Sequence, residues 1–153
     1  MDTCPFCQPG IIPHVFAETN NFWAVYNRAP ILPGHSLILP KKHYESFFEL
    51  DAAERLELIE FIDSTGRMLL HHFKGKGFNL ALQDGWVAGQ TVVHLHFHLM
   101  VRYEQDLPEP GSWYRALFLD ELEPAGEAER TVLSVSDMHE MVTLLRGLTG
   151  FRK

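Results

Sequence analysis

The chain has 153 residues, of which 46% are hydrophobic and 22% charged, as expected for one globular domain with its own core. Its net charge of −7 argues against broad binding to nucleic acid. No apolar run approaches the ~20 residues of a membrane span, and no signal-peptide pattern opens the chain. We therefore predict a single cytoplasmic domain over residues 1–153, without nucleic acid or a membrane as partner.

The predicted elements begin with two strands and a helix. Residues 21–27 are typical of a strand, and a Pro/Gly connection over 28–34 leads to a second strand at 35–39, which predicts an antiparallel pair. Asp51 and Glu54 form a capping-box signal, and apolar residues then recur at helical spacing to about Phe73. This pattern predicts one long helix.

Two further strands and a second helix are predicted downstream. Residues 78–83 and the histidine-rich run that ends near Val101 are the strands, separated by a turn at Asp84 and Gly85. Residues 103–130 are rich in Pro, Glu and Gly, which predicts irregular structure, and a Ser-capped helix runs from Ser136 to about Leu148. The order indicates an α+β fold, in which the long helix packs on an antiparallel sheet of about five strands and a C-terminal helix follows.

Three histidines alternate with apolar residues between positions 94 and 98. On a strand, successive side chains point to opposite faces, so His94, His96 and His98 would line one face while Leu95 and Phe97 line the other. Imidazole changes protonation near neutral pH and serves as a nucleophile and as a metal ligand. We predict that this run is the chemical centre of the chain. The other histidines, at positions 14, 71, 72 and 139, are predicted to have no functional role.

The run from His94 to Met100 resembles the motif of the histidine-triad (HIT) family. The likeness covers about residues 3–102, leaves 103–153 as a C-terminal extension, and is supported by short motifs in the order that the family shows: Asn27, Pro33-Gly-His35, Pro40-Lys-Lys-His43, Gln83-Asp-Gly85 and Gly89-Gln-Thr-Val92. The last two look closest to the fragile-histidine-triad branch, whose members cleave diadenosine polyphosphates. Val101 departs from that branch, which commonly has proline there. The resemblance implies a HIT-like fold, a nucleotide substrate and a homodimer.

The resemblance also implies a role for each matching residue. His96 would attack the α-phosphorus and form a covalent nucleotidyl-histidine, which water then resolves. His98 would bind the phosphate or the leaving group, and His35 would hold the imidazoles in place. No metal is required for this chemistry. Among the predicted substrate-binding residues, the donors to developing charge are Gln83, Gln90 and Thr91. Asn27 would bind the ribose. The apolar walls around the base would be Phe6, Val25 and Leu37.

The only two cysteines lie close together near the N-terminus. Cys4 and Cys7 alone indicate metal or redox chemistry. Some HIT proteins and the related galactose-1-phosphate uridylyltransferases bind zinc with such a pair and two histidines, which here would be His43 and His94. A closed set of two Cys and two His is typical of structural zinc.

Three alternatives remain open from the sequence. A phosphorylase or nucleotidyltransferase would use the same intermediate but resolve it with a phosphate instead of water. A nucleotide-binding protein with little turnover would keep the pocket without the reaction. Finally, His94, His96 and His98 could together form an open zinc site that activates water.

Overall fold

Five antiparallel strands form one sheet in the computed structural model, which describes residues 4–122 and 131–150. The order across the sheet is β1-β2-β3-β5-β4, so β1 and β4 are its edges. The predicted antiparallel sheet of about five strands is confirmed, although the sequence analysis located only four of them. The strands are β1 (Val15–Glu18), β2 (Phe22–Tyr26), β3 (Ser36–Pro40), β4 (Gly77–Leu82) and β5 (Phe97–Arg102).

Three α-helices accompany the sheet: α1 (Ala52–Phe73), α2 (Ser112–Leu122) and α3 (Val135–Thr149). The capping box predicted for α1 is present, since Asp51 accepts from the Glu54 amide and the Glu54 side chain accepts from the Asp51 amide. The C-terminal helix is also confirmed, and its N-cap is Ser134. The fold is therefore α+β, as predicted.

Helix α2 contradicts the prediction that residues 103–130 are irregular. The helix-breaking residues of this segment lie on both sides of α2 in the sequence, and the eleven residues of the helix itself contain neither Pro nor Gly. Pro108, Pro110 and Gly111 precede the helix, and Pro124 and Gly126 follow it. The composition of the whole segment therefore concealed a locally helical stretch. The rest of the segment, residues 123–130, lies outside the described residues.

The two faces of the sheet are covered differently. Phe97, Leu99 and Val101 of β5 face the main core, which they share with buried residues of α1 and α3. On the opposite face, Val25 and Leu37 pack with the N-terminal segment. Because Leu37 pairs with both Val25 and His98 in the sheet register, His98 lies on this second face. The second face carries the candidate site.

The histidine strand is shorter than predicted. Strand β5 begins at Phe97, so His94 and His96 lie in the segment that precedes it, in which the backbone bends over residues 92–94. The chain leaves the sheet here because its backbone is bonded elsewhere, with the amide of Leu95 donating to the carbonyl of Tyr44 at 2.6 Å. The alternation of apolar and histidine residues therefore continues beyond the strand.

A buried carboxylate fixes the chain where β5 ends. Asp106 accepts hydrogen bonds from Nε and Nη2 of Arg102 at 2.8 and 2.9 Å, and from the amide of Tyr103 at 2.8 Å. The bonds from the Arg102 guanidinium are the main reason that the pKa of Asp106 lies at about 2. Burial raises the pKa of Tyr103 to about 12, and its neutral hydroxyl donates to the carbonyl of Pro33 at 2.7 Å. Through the amide and the hydroxyl of Tyr103, the Asp106 carboxylate is linked to the turn before His35.

Replacing Asp106 with Asn is expected to lower the free energy of unfolding by about 1–2 kcal/mol at pH 7. A carboxyl whose pKa falls on folding from 3.8 to about 2 contributes stability above pH ~4, and this contribution disappears as the pH falls through 2. Urea unfolding at pH 7 and at lower pH measures the difference between wild type and variant.

Asp63→Asn is the matched control for this stability measurement. Asp63 also pairs with an arginine four residues away, Arg67, but its side chain is 60% exposed, against 6% for Asp106. An exposed pair of this kind is screened by solvent and contributes little to stability. Equal destabilisation by the two substitutions would contradict a stabilising role for the ionised Asp106 carboxylate. So would a difference in unfolding free energy between wild type and Asp106→Asn that does not shrink as the pH falls.

Candidate functional site

A cavity of about 330 Å³ opens on the second face of the sheet, within the size range of small-molecule sites. The N-terminal segment, β2, β3, the loop before His94 and the histidine run all contribute to its wall. Eight of the residues predicted for catalysis or substrate binding line it: Phe6, Val25, Asn27, Leu37, Gln83, Thr91, His96 and His98. The structure thus brings together residues that are up to 92 positions apart in the sequence.

His96 is held in one tautomer by its backbone contact. Its Nδ1 lies 2.8 Å from the carbonyl oxygen of His94, which only accepts hydrogen bonds, so Nδ1 carries the proton and Nε2 the lone pair. The ring is 94% buried and lies edge-on to the rings of Phe6 and His98, at centroid distances of 5.4 and 5.1 Å. The imidazole is therefore fixed in place with its basic nitrogen assigned.

A second hydrogen-bond chain orients His98. The amide of Ile31 donates to Nδ1 of His35 at 3.2 Å, which places the proton of neutral His35 on Nε2. That nitrogen lies 3.0 Å from Nδ1 of His98 and donates to it, so its longer approach to the amide nitrogen of Asn27, at 3.3 Å, brings two donors together. The proton of neutral His98 is then on Nε2, so His98 is a donor there. His35 itself is fully buried and does not line the cavity.

Two other predicted ligands are engaged with the backbone. Asn27 lines the cavity, and its Oδ1 accepts from the amide of Ala29 at 2.9 Å, the bond of an Asx turn. Gln90 accepts from the amide of Gly85 and donates to the carbonyl of Glu45, at 2.8 and 2.9 Å, and it is not among the lining residues. The substrate-binding roles of Asn27 and Gln90 stay predictions.

Nine of the lining residues were not among the predicted site residues, and they include a histidine, an arginine and a residue of α2. His14 and Arg28 both line the wall, and burial, together with the charge of Arg28, lowers the pKa of His14. Leu117 reaches the cavity from α2. His14 and Leu117 carry little signal in the sequence, because His14 immediately precedes β1, which was missed, and α2 was predicted to be irregular. Arg28 directly follows Asn27, so its position next to a predicted substrate-binding residue was the signal that could have identified it.

A group of four metal-binding side chains lies beside the histidine run. The ligand atoms of Cys4, Cys7, His43 and His94 all lie within 4.8 Å of one another. Sulfur-to-nitrogen distances are 3.5 Å from each thiol to His94 Nδ1 and 3.3 Å from Cys7 to His43 Nδ1. Ligands at ~2.3 Å (S) and ~2.0 Å (N) around a tetrahedral zinc are about 3.5 Å apart. The four residues therefore fit a tetrahedral metal ion.

The ring nitrogens that do not contact the cysteines, Nε2 of His94 and of His43, support the same arrangement. His94 Nε2 donates to the carbonyl of Pro40 at 2.9 Å, which leaves the lone pair on Nδ1, the atom facing the cysteines. His43 Nε2 lies 3.8 Å from a carboxylate oxygen of Glu45. Such outer partners commonly orient metal-binding histidines. Burial lowers the pKa of His94, which favours the neutral form that binds metal.

This geometry contradicts the alternative of an open zinc site on all three histidines. His94 presents Nδ1 to the cysteines and Nε2 to a carbonyl, and Nδ1 of His98 is bonded to His35. Within residues 4–122 and 131–150, the four-residue group is the only cluster of three or more such ligands. The histidine run is instead divided between two sites, with His94 in one and His96 and His98 in the other.

The fold and the paired sites define a small α+β protein with a histidine-lined cavity of about 330 Å³ beside a candidate metal cluster. The HIT domain profile matches residues 9–105, and the chain belongs to the HIT domain family. A bis(5'-adenosyl)-triphosphatase of Dictyostelium discoideum is 31% identical over 134 residues, which are 88% of this chain and 84% of that protein. The predicted resemblance to the family is confirmed.

Solved structures show the same fold. A Plasmodium falciparum diadenosine triphosphate hydrolase, determined with cyclomarin A, aligns with a TM-score of 0.72 at 25% identity, over 92% of this chain and 80% of that one. A zinc-bound HIT family protein of Mycobacterium smegmatis aligns with a TM-score of 0.65 at 21% identity, over 97% and 94%. In the described part of this chain, no helix is both long and apolar enough to cross a bilayer.

Proposed function

We propose that this protein hydrolyses nucleoside 5'-phosphate derivatives, such as diadenosine polyphosphates, at the α-phosphorus through a covalent intermediate on His96. The observation that carries the proposal is the tautomer of His96. Its bond to the His94 carbonyl places the lone pair on Nε2, in a side chain that forms part of the cavity wall. The names of relatives support the substrate class, since one is called a bis(5'-adenosyl)-triphosphatase and another, from Schizosaccharomyces pombe, a bis(5'-nucleosyl)-tetraphosphatase.

In the first step, Nε2 of His96 bonds to the α-phosphorus and the bond from that phosphorus to the bridging oxygen breaks. The leaving phosphate departs with the electron pair. The imidazole becomes cationic as the phosphorus–nitrogen bond forms, and the carbonyl of His94 stabilises it by accepting from Nδ1–H. The same hydrogen bond thus orients the nucleophile before attack and favours its charged product.

His98 acts at the leaving oxygen. Its Nε2–H donates a hydrogen bond there, and His35 holds the ring in the required tautomer. Complete proton transfer is unnecessary for a phosphoanhydride, because a phosphate monoester has a second pKa of about 6 and leaves readily as an anion near neutral pH. A neutral imidazole donor therefore suits phosphate leaving groups better than strongly basic alkoxides.

In the second step, water attacks the same phosphorus and releases a proton to solvent. The phosphorus–nitrogen bond breaks with its electron pair returning to Nε2, so His96 regains its neutral form as a nucleoside monophosphate is released. Gln83 and Thr91 in the cavity wall supply hydrogen bonds to the phosphate oxygens. Phe6 and Leu37 enclose the base, and Asn27 binds the ribose next to the turn that its own side chain forms. Gln90 acts through the loop that it braces.

The cluster of Cys4, Cys7, His43 and His94 would hold a structural zinc ion. All four positions around the metal are filled by protein, and its role would be to tie the N-terminal segment, which carries Phe6, to the histidine run. Phe6 lies edge-on to both His94 and His96, at 5.6 and 5.4 Å between ring centroids. Metal binding would therefore shape the cavity without taking part in the reaction.

We further propose a homodimer in the cytoplasm. Strand β4 is an edge of the sheet, and its side chains Phe78 and Leu80 are 46% and 44% exposed. An apolar edge strand of this kind is a ready surface for pairing with a second chain. A second copy would cover these side chains and continue the sheet.

Hydrolysis of diadenosine triphosphate in ¹⁸O-labelled water tests the site of attack. We expect one labelled oxygen in AMP and none in ADP, because water resolves a phosphorus–nitrogen bond at the α-phosphorus. Mass spectrometry of the two products gives the result. Label in ADP would contradict the proposal.

Added inorganic phosphate separates hydrolysis from the phosphorylase alternative. A phosphorylase would give two molecules of ADP in proportion to the phosphate concentration. A hydrolase would give one AMP and one ADP at every phosphate concentration. A protein that binds the substrate and releases neither product would be the nucleotide-binding protein with little turnover.

A further inference from the structure

A rigid loop at the edge of the cavity displays an exposed tryptophan. We define the rim loop as residues 84–90, between Gln83 and Thr91, which both line the cavity. Residues Trp86–Ala88 form one 3-10 turn, flanked by Gly85 and Gly89, each with φ of 89°. Trp86 is 84% exposed. Large aromatic side chains are seldom left this open to solvent.

The base of the rim loop is firmly held. The Gln90 side chain accepts from the amide of Gly85 at 2.8 Å, and the Gln90 amide donates to the Gly85 carbonyl at 3.2 Å. Asp84 accepts from both the hydroxyl of Ser46 and the amide of Phe47, at 3.0 and 2.9 Å. The exposure of Trp86 therefore belongs to a braced conformation, in which the ring is presented to solvent at little entropic cost on binding.

The position of the ring limits what it can contact. Trp86 is three residues from both Gln83 and Gly89 in the cavity wall, so its backbone lies within about 10 Å of that wall. In the proposed reaction, Gln83 and Thr91 bind phosphate oxygens, so the rim loop lies at the phosphate end of the substrate. A second nucleoside, joined through the polyphosphate bridge, would leave the cavity past this loop.

The chemistry of the loop favours a nucleobase as the occupant. The only charged side chain of the rim loop is Asp84, whose carboxylate is bonded to Ser46 and Phe47, whereas a surface that binds an anionic membrane uses clustered Lys and Arg. An aromatic ring stacks on any nucleobase and contributes binding energy without reading its edges. The base of the leaving nucleotide is the planar group that the proposed substrate would bring here.

We propose that Trp86 is a stacking platform for the base of the leaving nucleotide, and so forms a second nucleoside subsite outside the cavity. This inference rests on the proposed function. It identifies the substrate class as dinucleoside polyphosphates, because a nucleotide with a small leaving group has no base to place on Trp86. Stacking there accelerates cleavage of substrates that carry a second base.

The test compares two substrates that differ only in the second base, diadenosine triphosphate and adenosine triphosphoribose, whose second ribose carries no base. Trp86→Ala is expected to lower kcat/KM for the first about tenfold, equivalent to about 1.4 kcal/mol, and to leave the second unchanged. Trp86→Phe retains a ring and should keep most of the preference. Val87→Ala is the matched control, since Val87 is 98% exposed on the same turn and has no ring.

The outcomes separate this inference from the proposed function. If wild type cleaves neither substrate, the proposed function fails. If wild type cleaves both and Trp86→Ala changes neither, or changes both equally, the subsite is overturned while the proposed function stands. Light scattering on the same variants tests whether Trp86 lies in a contact between subunits. Loss of dimer mass, together with an equal loss of kcat/KM on both substrates, would assign Trp86 to the interface and overturn the subsite.

Discussion

Replacing His96 with Gly is expected to reduce kcat/KM for diadenosine triphosphate by about 10⁴-fold or more, since the nucleophile of a covalent mechanism has no substitute. Wild type mixed with substrate and quenched rapidly without acid should gain the mass of one nucleotidyl group, a nucleoside monophosphate less water, in intact-protein mass spectrometry. His96→Gly should show no gain. The acid-free quench matters because a phosphorus–nitrogen bond is hydrolysed in acid.

Two control variants make this result specific to His96. His71→Gln alters an exposed histidine near the end of α1 and should show the full adduct. His98→Ala removes the donor at the leaving oxygen but keeps the nucleophile, so its adduct should form more slowly without disappearing. An adduct in His96→Gly, or rapid turnover by wild type with no adduct, would contradict covalent catalysis at His96.

The elements that the sequence predicted well are those with local signals. Asp51 and Glu54 are only three residues apart, and the apolar spacing after them continues for six turns, so α1 could be located from its own residues. The turn between β2 and β3 likewise carries its own Pro and Gly residues. Strand β1 has four residues and no such boundary, and it was missed.

The start of β5 shows where local pattern fails. Alternation of apolar and polar residues predicts a strand through His94 and His96, yet the amide of Leu95 bonds to Tyr44, a residue 51 positions earlier. His94 also contacts Cys4, 90 positions away. Contacts between residues this far apart in the sequence decide whether an extended segment joins the sheet. The alternation of apolar and polar residues is the same whether the segment joins the sheet or not, so it does not distinguish the two cases.

The candidate site was predictable in composition but not in protonation. Alternation alone grouped the three histidines, and the resemblance to the HIT family was needed to assign His94 to a metal site and His96 and His98 to the reaction. In the structure, His94 faces the cysteines while His96 and His98 line the cavity. The assignment of each proton depends on partners that are distant in sequence, such as His35 for His98, 63 positions away. Likewise, the backbone engagement of Gln90 follows from a loop geometry that its residue type does not disclose.

Removing the metal cluster is expected to destabilise the protein by several kcal/mol. Structural zinc contributes about 10–16 kcal/mol of apparent binding free energy in zinc-finger peptides, and a domain with its own core needs only part of it to fold. Cys4→Ser should therefore lose bound zinc and lower the unfolding temperature by about 5 °C or more. Elemental analysis of the purified protein and thermal unfolding measure the two effects. Equal zinc content in wild type and Cys4→Ser would refute the site.

A chelator distinguishes loss of metal from loss of packing, since Cys4 is itself buried. Chelation should lower the unfolding temperature of wild type to near that of Cys4→Ser and leave the variant unchanged. Adduct formation by the chelated protein distinguishes a structural role of the metal from a role in the reaction. Because His96 and His98 are not part of the cluster, chelated protein kept well below its unfolding temperature should still form the covalent adduct. Immediate loss of the adduct while the protein remains folded would mean that the metal acts in the reaction itself.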